Sequence, residues 1–211
     1  MSSQAPPAIP VAAARVRPRE FDATEVIDRV VELFWDKGYE ATSVADIVKA
    51  TGLNKSSLYN AFGSKEALFE RAIGSYVDTR VAMITSVLTD GSGGLDDIDR
   101  FFQLMETEVD SEFGCRGCLA VNTSTELGYR DAAAKAVSTR YRTHLRAAFN
   151  AVFVRAAARG EIASGVGATY AEILLGWLLG MAVVVRGGAD RPEIGGQFRA
   201  ARSLIESWRI S

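Results

Sequence analysis

The segment TSVADIVKATGLNKSSLYNAFGSKE, residues 42–66, decides the fold, because it contains the start and stop signals of consecutive short helices. Either hydroxyl residue at its start can cap the first helix, and an acidic residue stands three positions after Ser43, as in a capping box. Gly52 permits the left-handed backbone of a sharp turn, and Asn54 is a favoured N-cap for a second helix. Ser64 predicts the start of a third helix. The predicted order is therefore helix, tight turn, helix, and then a longer helix.

The second short helix carries polar side chains on its first turn and outer face: Lys55, Ser56, Ser57, Tyr59 and Asn60. Helix-turn-helix proteins place such a helix in the DNA major groove, with its first residues against the base edges. An asparagine pairs with adenine through two hydrogen bonds, and a lysine contacts guanine or a phosphate. The alternative is a solvated polar surface on a small helical lobe. We interpret this helix as a candidate DNA-reading helix.

Three further side chains beside this helix are candidate DNA contacts: Thr42, Ser43 and Lys65. Thr42 stands at the start of the first short helix, where its hydroxyl or its backbone amide would donate to a phosphate. Lys65 stands in the first turn of the third helix, where the helix dipole disfavours a cation. An adjacent phosphate would reverse that preference. We therefore predict that this group contacts the DNA backbone.

The composition is that of a soluble globular protein, with 211 residues, of which 48% are hydrophobic, and a formal net charge of −2. Positive charge is local, since residues 47–65 contain three lysines and no acid, which suits a small phosphate-contacting surface. The chain does not open on a signal pattern, and the apolar run Ile173–Val185 is shorter than the ~20 residues of a spanning helix. We predict a cytoplasmic protein without membrane contact, whose residues 1–19 form a disordered arm.

Apolar residues recur with helical spacing along most of the chain, and strand-like alternation is rare. Beyond the short helices, the predicted helices run from Asp22 to Gly38, from Ser64 towards Leu88, from Leu95 to Asp110, from Thr123 to Leu127, from Asp131 to Arg159, over 167–186 and over 192–208. The predicted fold class is therefore all-α.

The stretches LFWDKGYEATSVADIV (33–48) and TGLNKSSLYNAFGSKEALF (51–69) resemble the N-terminal domain of the TetR/AcrR family of transcriptional regulators. The resemblance implies about nine helices, with a helix-turn-helix DNA-binding domain over residues 20–66 and a ligand-binding and dimerisation domain over residues 67–211. It also implies a homodimeric repressor that a small-molecule effector releases from a palindromic operator. It implies no cofactor.

In this family the last two helices of each subunit pair across the dimer axis, and residues 167–186 and 192–208 would form them here. The sequence supports this independently, because the first of these helices has almost no polar face and needs a covering surface. A buried central helix of a monomer is the alternative. The predicted interface residues are Ile173, Trp177, Gly180, Met181, Val184, Phe198 and Leu204.

The resemblance further implies an effector cavity between the central helices. The candidate lining residues are apolar or aromatic, with one thiol: Phe101, Phe102, Met105, Phe113, Cys118, Tyr141, Leu145, Phe149 and Trp177. Such a lining favours an apolar or aromatic effector. Plain core packing is the alternative for each of these residues.

The chain has two cysteines, Cys115 and Cys118, in one CxxC pair. A zinc site would need about four ligands, and the sequence has one histidine, His144. A thioredoxin-like motif would need a strand–helix context that the sequence does not predict. A reactive thiol is favoured by the adjacent Arg116 and by the helix N-terminus that follows. The stretch GCLAVNTSTE is also similar to the sensor-cysteine segment of electrophile-responsive family members, which points to Cys118; structural thiols remain the alternative.

No catalytic constellation is evident, since the sequence has one histidine and neither a glycine-rich phosphate loop nor carboxylates paired in a defined frame. We predict that the chain is not an enzyme. Two alternatives belong to other classes: a helical thiol oxidoreductase, and an interaction module that has lost DNA binding. The retained polar residues of the reading helix argue against the second.

Overall fold

The computed structural model describes residues 22–111 and 114–210, and the chain is helical throughout most of them. The helices are α1 Ala23–Lys37, α2 Val44–Thr51, α3 Lys55–Phe62, α4 Lys65–Tyr76, α5 Ala82–Thr89, α6 Leu95–Asp110, α7 Leu119–Glu126, α8 Ala132–Ala158, α9 Gly167–Arg186 and α10 Arg191–Glu206. A π-helical turn, Val77–Val81, joins α4 to α5 into one continuous rod. Counting that rod once, the described ranges contain nine α-helices and no strand, which confirms the predicted fold class.

Helices α1, α2 and α3, together with the first turns of α4, form an N-terminal lobe whose helix starts are capped as predicted. Ser43 and Asp46 form a capping box on α2, the Asn54 side chain accepts from the Ser57 amide on α3, and Ser64 caps α4. Gly52 ends α2 in the left-handed conformation with φ 72°. The side chains that hold the lobe together are buried: Val30, Phe34, Ile47, Leu58, Phe62 and Leu68. The sequence alone therefore predicted this lobe, because its caps act over three or four residues.

Helices α5 to α10 form the body. The long helix α8 packs along α9 and against α5, while α6 contacts α5 and α10. Aromatic side chains fill the centre: Phe101, Phe102, Phe149, Phe153 and Phe198. Helix α4 contacts α1 in the lobe and α7 and α8 in the body. The domain boundary predicted between residues 66 and 67 therefore falls within a continuous helix, and it stays a prediction.

Two helix predictions need correction. The short helix predicted over Thr123–Leu127 begins four residues earlier, because the apolar side chains of Leu119, Ala120 and Val121 are buried and continue the helix towards Cys118. The long helix predicted from Ser64 towards Leu88 contains a π-helical turn, and the hydrophobic pattern does not distinguish such a turn from regular helix. The predicted arm over residues 1–19 lies outside the described residues.

Helix α9 is long and apolar enough to cross a membrane by length and composition alone. The sequence-based prediction considered only the apolar run Ile173–Val185, which is too short to span a membrane. The helix that contains this run is 20 residues long. About a third of its most apolar window is buried in the chain, so much of its surface faces outward. The core helix of a soluble protein has the same length and composition.

Candidate DNA-binding surface and cavity

Helix α3 presents the predicted reading side chains to solvent. Lys55, Ser56 and Asn60 are exposed, Tyr59 is 36% exposed, and Ser57 is half-buried. The opposite face of the helix anchors it to the lobe through buried apolar side chains. The Lys55 ammonium lies 5.8 Å from the centre of the Tyr59 ring. A lysine, two hydroxyls, a phenol and an amide therefore share one outward surface of a short helix, as major-groove recognition requires.

The start of α2 is fixed by an ion pair and a capping box. The Asp46 carboxylate accepts from the Ser43 amide at 2.9 Å and the Ser43 hydroxyl at 2.7 Å, and Lys37 Nζ lies 2.7 Å away. The hydrogen bond from Lys37, followed by those from Ser43, lowers the pKa of Asp46 well below its usual value. Ser43 is exposed, but its hydroxyl serves the helix cap in this arrangement.

Thr42 directly precedes the N-cap of α2, but its polar groups face the protein. Its side chain is buried, and its hydroxyl donates to the Gly38 carbonyl at 2.6 Å. Its backbone amide donates to the Tyr39 carbonyl at 3.3 Å. Both donors proposed for a phosphate are thus engaged within the lobe, because the turn after α1 folds back on this residue. The predicted phosphate contact of Thr42 is not supported.

Lys65 has a protein partner that the sequence did not indicate. Its ammonium lies 4.2 Å from the centre of the Tyr39 ring, a cation–π contact, and the side chain is half-buried. The Tyr39 hydroxyl donates to Glu66 at 3.1 Å. Burial, and then the hydrogen bond to Glu66, raise the pKa of Tyr39 to about 12. Lys65 therefore stands at the lobe surface in the first turn of α4, held in place by an aromatic ring.

The body contains a cavity of about 90 Å³, against the roughly 10–15 Å³ that one water needs on the same kind of measure. Five predicted lining residues line it: Phe101, Met105, Cys118, Tyr141 and Leu145. Three do not, because they pack elsewhere in the core: Phe149 packs edge-on against Phe101, and Phe102 and Trp177 pack against each other and Phe198. Phe113 lies outside the described residues.

The cavity wall also includes residues that no sequence pattern indicated, among them Trp35 of α1, Tyr76 of α4 and Arg80 of the π-helical turn. Trp35 is buried, and its ring lies 4.8 Å from the Arg80 guanidinium and 5.5 Å from that of Arg116. Its indole N–H donates to the Gly117 carbonyl at 3.2 Å. The N-terminal lobe thus contributes directly to the cavity, through a contact between residues 82 positions apart in the chain.

Cys118 faces the cavity between two tyrosines. The Tyr76 hydroxyl donates to Cys118 Sγ at 3.5 Å. Burial, and then the electrostatic interaction and hydrogen bond with Cys118, raise the pKa values of Tyr76 and Tyr141 well above the usual value. Cys115 is exposed and does not line the cavity. Within the described ranges, no group of three or more metal-binding side chains occurs, so the two cysteines lack companion ligands there.

The predicted interface residues divide into two groups. Ile173, Gly180 and Leu204 are exposed, and Val184 and Trp177 are partly exposed. Met181 and Phe198 are buried and line the cavity of their own chain, so their prediction as interface residues is wrong. The helical period placed them on α9 and α10 correctly, but the rotation of each helix against its neighbours is set by packing that the period does not specify.

Polar contacts connect the end of α1 to the body. Arg116 pairs with Glu32 and, at 2.9 Å, with Asp36, and Arg186 donates to the Asp36 carbonyl at 3.0 Å. The Glu126 carboxylate accepts from the backbone amides that follow α1. The lobe is therefore joined to the body both through the α4 rod and through this polar junction.

Residues 26–72 match the family model of bacterial regulatory proteins, tetR family. The HTH-type transcriptional repressor ComR of Escherichia coli K12 is 31% identical over 198 residues, which cover 92% of this chain and 92% of ComR. The HTH-type transcriptional repressor BdcR of the same strain is 33% identical over 105 residues, covering 50% of this chain and 53% of BdcR.

Solved structures agree. A cysteine mutant of the TetR family transcriptional regulator CifR, complexed with 26bp double-strand operator DNA, is similar with a TM-score of 0.78 and 26% identity, over 91% of this chain and 99% of that chain. The reduced form of E. coli NemR shares the fold at 16% identity, with a TM-score of 0.74 over 88% of this chain and 97% of that chain. The match to a repressor over 92% of the chain and the exposed reading helix lead to one conclusion: the chain belongs to the TetR family and is a DNA-binding transcriptional regulator, not an enzyme.

Proposed function

We propose that the chain acts in the cytoplasm as a homodimeric repressor, which binds a palindromic operator through α3 and is released by a small-molecule effector. The observation that carries this proposal is the position of Trp35, which belongs to the DNA-binding lobe and also forms part of the cavity wall. A molecule that fills the cavity would contact the lobe itself. Binding at the cavity and DNA binding would then favour different arrangements of the lobe, which is the requirement for release.

The DNA contacts that we propose are Lys55, Ser56, Ser57, Tyr59 and Asn60 on α3, with Ser43 and Lys65 at the neighbouring helix starts. Asn60 and Lys55 have the side chains that read base edges in the major groove. Lys65 stands near the surface as a candidate phosphate contact. Thr42 is left out of this set because its hydroxyl and amide donate within the lobe.

The effector that suits the cavity is small and largely apolar or aromatic. Leu145, Met105 and Phe101 supply an apolar wall, and Tyr76 and Tyr141 supply hydroxyl groups beside it. A cavity with a few polar groups in an apolar wall is the usual form of a small-molecule site. Its volume of about 90 Å³ favours a compact molecule, unless the helices move apart on binding.

The surface that we propose for dimerisation lies on α9 and α10. Ile173 is 40% exposed, Val183 is 50% exposed and Leu204 is 42% exposed, while Gly176 and Gly180 allow close approach of a second backbone. An apolar face of this kind is stabilised by burial against a partner. Sedimentation equilibrium tests it: we expect a dimer for the wild type and a shift towards monomer for Gly180→Arg. A monomeric wild type would contradict the proposed dimer.

Selection of genomic fragments by the purified protein at near-physiological salt, followed by sequencing, tests the DNA-binding proposal. We expect recovery of a short palindrome, as a symmetric dimer requires. In the matched variant Asn60→Ala, we expect the loss of about 1–3 kcal/mol of discrimination at one base position of each half-site. Recovery of random, salt-sensitive fragments alone would count against a sequence-specific regulator.

A second candidate function is sensing of electrophiles through Cys118. It is supported by the position of Cys118 Sγ in the cavity, 3.5 Å from the Tyr76 hydroxyl. A thiolate there would add to an activated double bond, forming a C–S bond while the neighbouring carbon takes up a proton. N-ethylmaleimide tests this, with Cys115→Ser as the matched control for Cys118→Ser. We expect DNA release from wild type and Cys115→Ser, and retention by Cys118→Ser; normal release from Cys118→Ser would exclude this mechanism.

A further inference from the structure

Glu126, the last residue of α7, holds the turn between α1 and α2. Its two carboxylate oxygens accept from consecutive backbone amides, Tyr39 N at 3.0 Å and Glu40 N at 2.7 Å. Hydrogen bonds to a carboxylate are roughly twice as strong as those between neutral groups. Two of them on adjacent residues fix both the position and the direction of this turn, which leads directly into α2.

The backbone of the turn is shaped to receive this carboxylate. Gly38 has φ +83°, a conformation that favours glycine, and a Cβ built there would lie 2.8 Å from Glu126 Oε2. Any other residue at position 38 would therefore be strained and would also push the carboxylate away. The contact therefore requires both a glycine at position 38 and the carboxylate of Glu126, two residues that are 88 positions apart in the sequence.

This contact connects the DNA-binding lobe to the body through α7, in addition to the connection through the α4 rod. Helix α7 packs against α8 and α9, which form the centre of the body. Arg130 donates to the Glu126 carbonyl at 2.8 Å and ties the end of α7 to the following turn. A rigid connection at the rod and a second at the turn together restrict rotation of the lobe about the axis of α4.

We propose that Glu126 is a positioning residue for DNA recognition, which sets the orientation of the lobe and hence the spacing between half-sites that the dimer accepts. This inference rests on the proposed dimeric DNA binding. Two lobes held at fixed angles fit half-sites about one helical turn apart, because successive major grooves recur at that distance. A lobe released from Glu126 would rotate more freely and would tolerate other spacings.

Glu126→Gln tests the proposal, because it keeps the size of the side chain and removes one of the two acceptors. The matched control is Glu193→Gln, which makes the same change of charge at an exposed position on α10. Binding is measured for full-length proteins with the operator from fragment selection and with versions lengthened or shortened by one base pair between half-sites. Amide hydrogen exchange of Tyr39 and Glu40 reports on the contact itself.

In Glu126→Gln we expect exchange of these two amides to accelerate about tenfold, and the preference for the native spacing to fall about tenfold, as the loss of one charge-assisted hydrogen bond allows. Glu193→Gln should match the wild type. In a Gly38→Ala background, Glu126→Gln should change the spacing preference little further, since both changes break the same contact.

Faster amide exchange with an unchanged spacing preference would overturn the inference while leaving the proposed function intact. Unchanged exchange together with unchanged spacing would overturn it as well, since Glu126 would then not hold the turn. A wild-type protein that selects no operator would overturn the proposed function and this inference with it. A loss of thermal stability alone does not alter the preference between spacings, so this readout separates positioning from folding.

Discussion

The Trp35 indole N–H donates to the Gly117 carbonyl at 3.2 Å, so the first helix of the DNA-binding lobe is hydrogen-bonded to the residue that precedes Cys118. The same ring lies close to the guanidinium groups of Arg80 and Arg116, and it packs against Tyr76 in a T-shaped arrangement with 5.1 Å between the ring centres. One aromatic side chain therefore links the lobe, the rod and the cavity. The hydrogen bond between Trp35 and Gly117 lies at the wall of the cavity in which an effector would bind.

Trp35→Phe should destabilise the fold by about 1–3 kcal/mol, because the Gly117 carbonyl loses its donor and the smaller ring leaves space. Urea denaturation measures this change. We also expect DNA binding to become less responsive to N-ethylmaleimide or other cavity ligands, because the direct contact is lost. Trp208→Phe, whose ring stacks on Tyr170 and does not line the cavity, is the control and should keep the wild-type response. An equal response in both variants would show that Trp35 does not couple the cavity to DNA binding.

The buried carboxylate of Asp97 is the centre of an ionic network, and its removal should be costly. Its carboxylate is fully buried and accepts from Arg100 at 2.9 Å and Arg155 at 3.1 Å. Arg155 also donates to the carbonyls of Leu88 and Gly93, which closes the loop between α5 and α6. Asp97→Ala should reduce the free energy of unfolding by about 3–5 kcal/mol, because Arg155 loses its counter-charge in a mostly buried site.

The exposed pair of Glu206 and Arg209 supplies the control for this measurement. Glu206→Ala should change stability by less than about 1 kcal/mol, since exposed ion pairs contribute little. Urea denaturation at neutral pH compares the two variants. Similar small losses in both would show that the Asp97 network does not stabilise the chain.

The DNA-binding lobe should lose stability in acid through Asp46. Its carboxyl pKa is lowered in the folded chain by the hydrogen bond from Lys37 and those from Ser43, relative to an ordinary value of 3.8. Stabilisation is therefore fully present above pH 3.8 and is lost as the pH falls below it towards the folded-state pKa. Denaturation of Asp46→Asn should show a shallower decline of stability below pH 4 than the wild type. Parallel declines would assign the acid sensitivity to other carboxyls.

The lobe was predictable from sequence because its determinants are local. The capping box of Ser43, the Asn54 cap and the left-handed Gly52 each act within three or four residues, and all three occur as predicted. Spacing also located α6 and α9 to the residue. The periodicity of apolar residues within a segment is enough to predict that the segment is helical, without knowledge of the rest of the fold.

The remaining features depend on contacts between distant residues. Thr42 looked like a surface hydroxyl, yet the turn after α1 buries it against Gly38. Met181 and Phe198 lie on the predicted helices but face their own cavity, because helix rotation is set by packing with several neighbours. Trp35 lines the cavity because it contacts Gly117, which is 82 positions away in the sequence. No periodicity or cap encodes such a pairing, so sequence patterns alone did not indicate it.

Lys65 offers a test that separates a phosphate contact from a structural role. Lys65→Ala removes a cation from the lobe surface together with its contact to the Tyr39 ring, 4.2 Å away. If Lys65 binds a phosphate, affinity should fall similarly for all DNA sequences, and the slope of log K against log salt should become shallower by about 0.9. Lys135→Ala, which removes an exposed lysine of α8, should leave the slope unchanged.

The cation–π contact alone predicts a different result, because a half-buried contact of this kind contributes about 0.5–2 kcal/mol to folding. Lys65→Ala would then lower the free energy of unfolding slightly, while the salt slope would stay that of the wild type. Fluorescence anisotropy titrations with an operator duplex between about 50 and 200 mM salt resolve these cases, since each phosphate contact changes the slope by a measurable step. An unchanged slope would assign Lys65 to the support of Tyr39, and the phosphate contacts of the lobe would have to come from α3 and the start of α2.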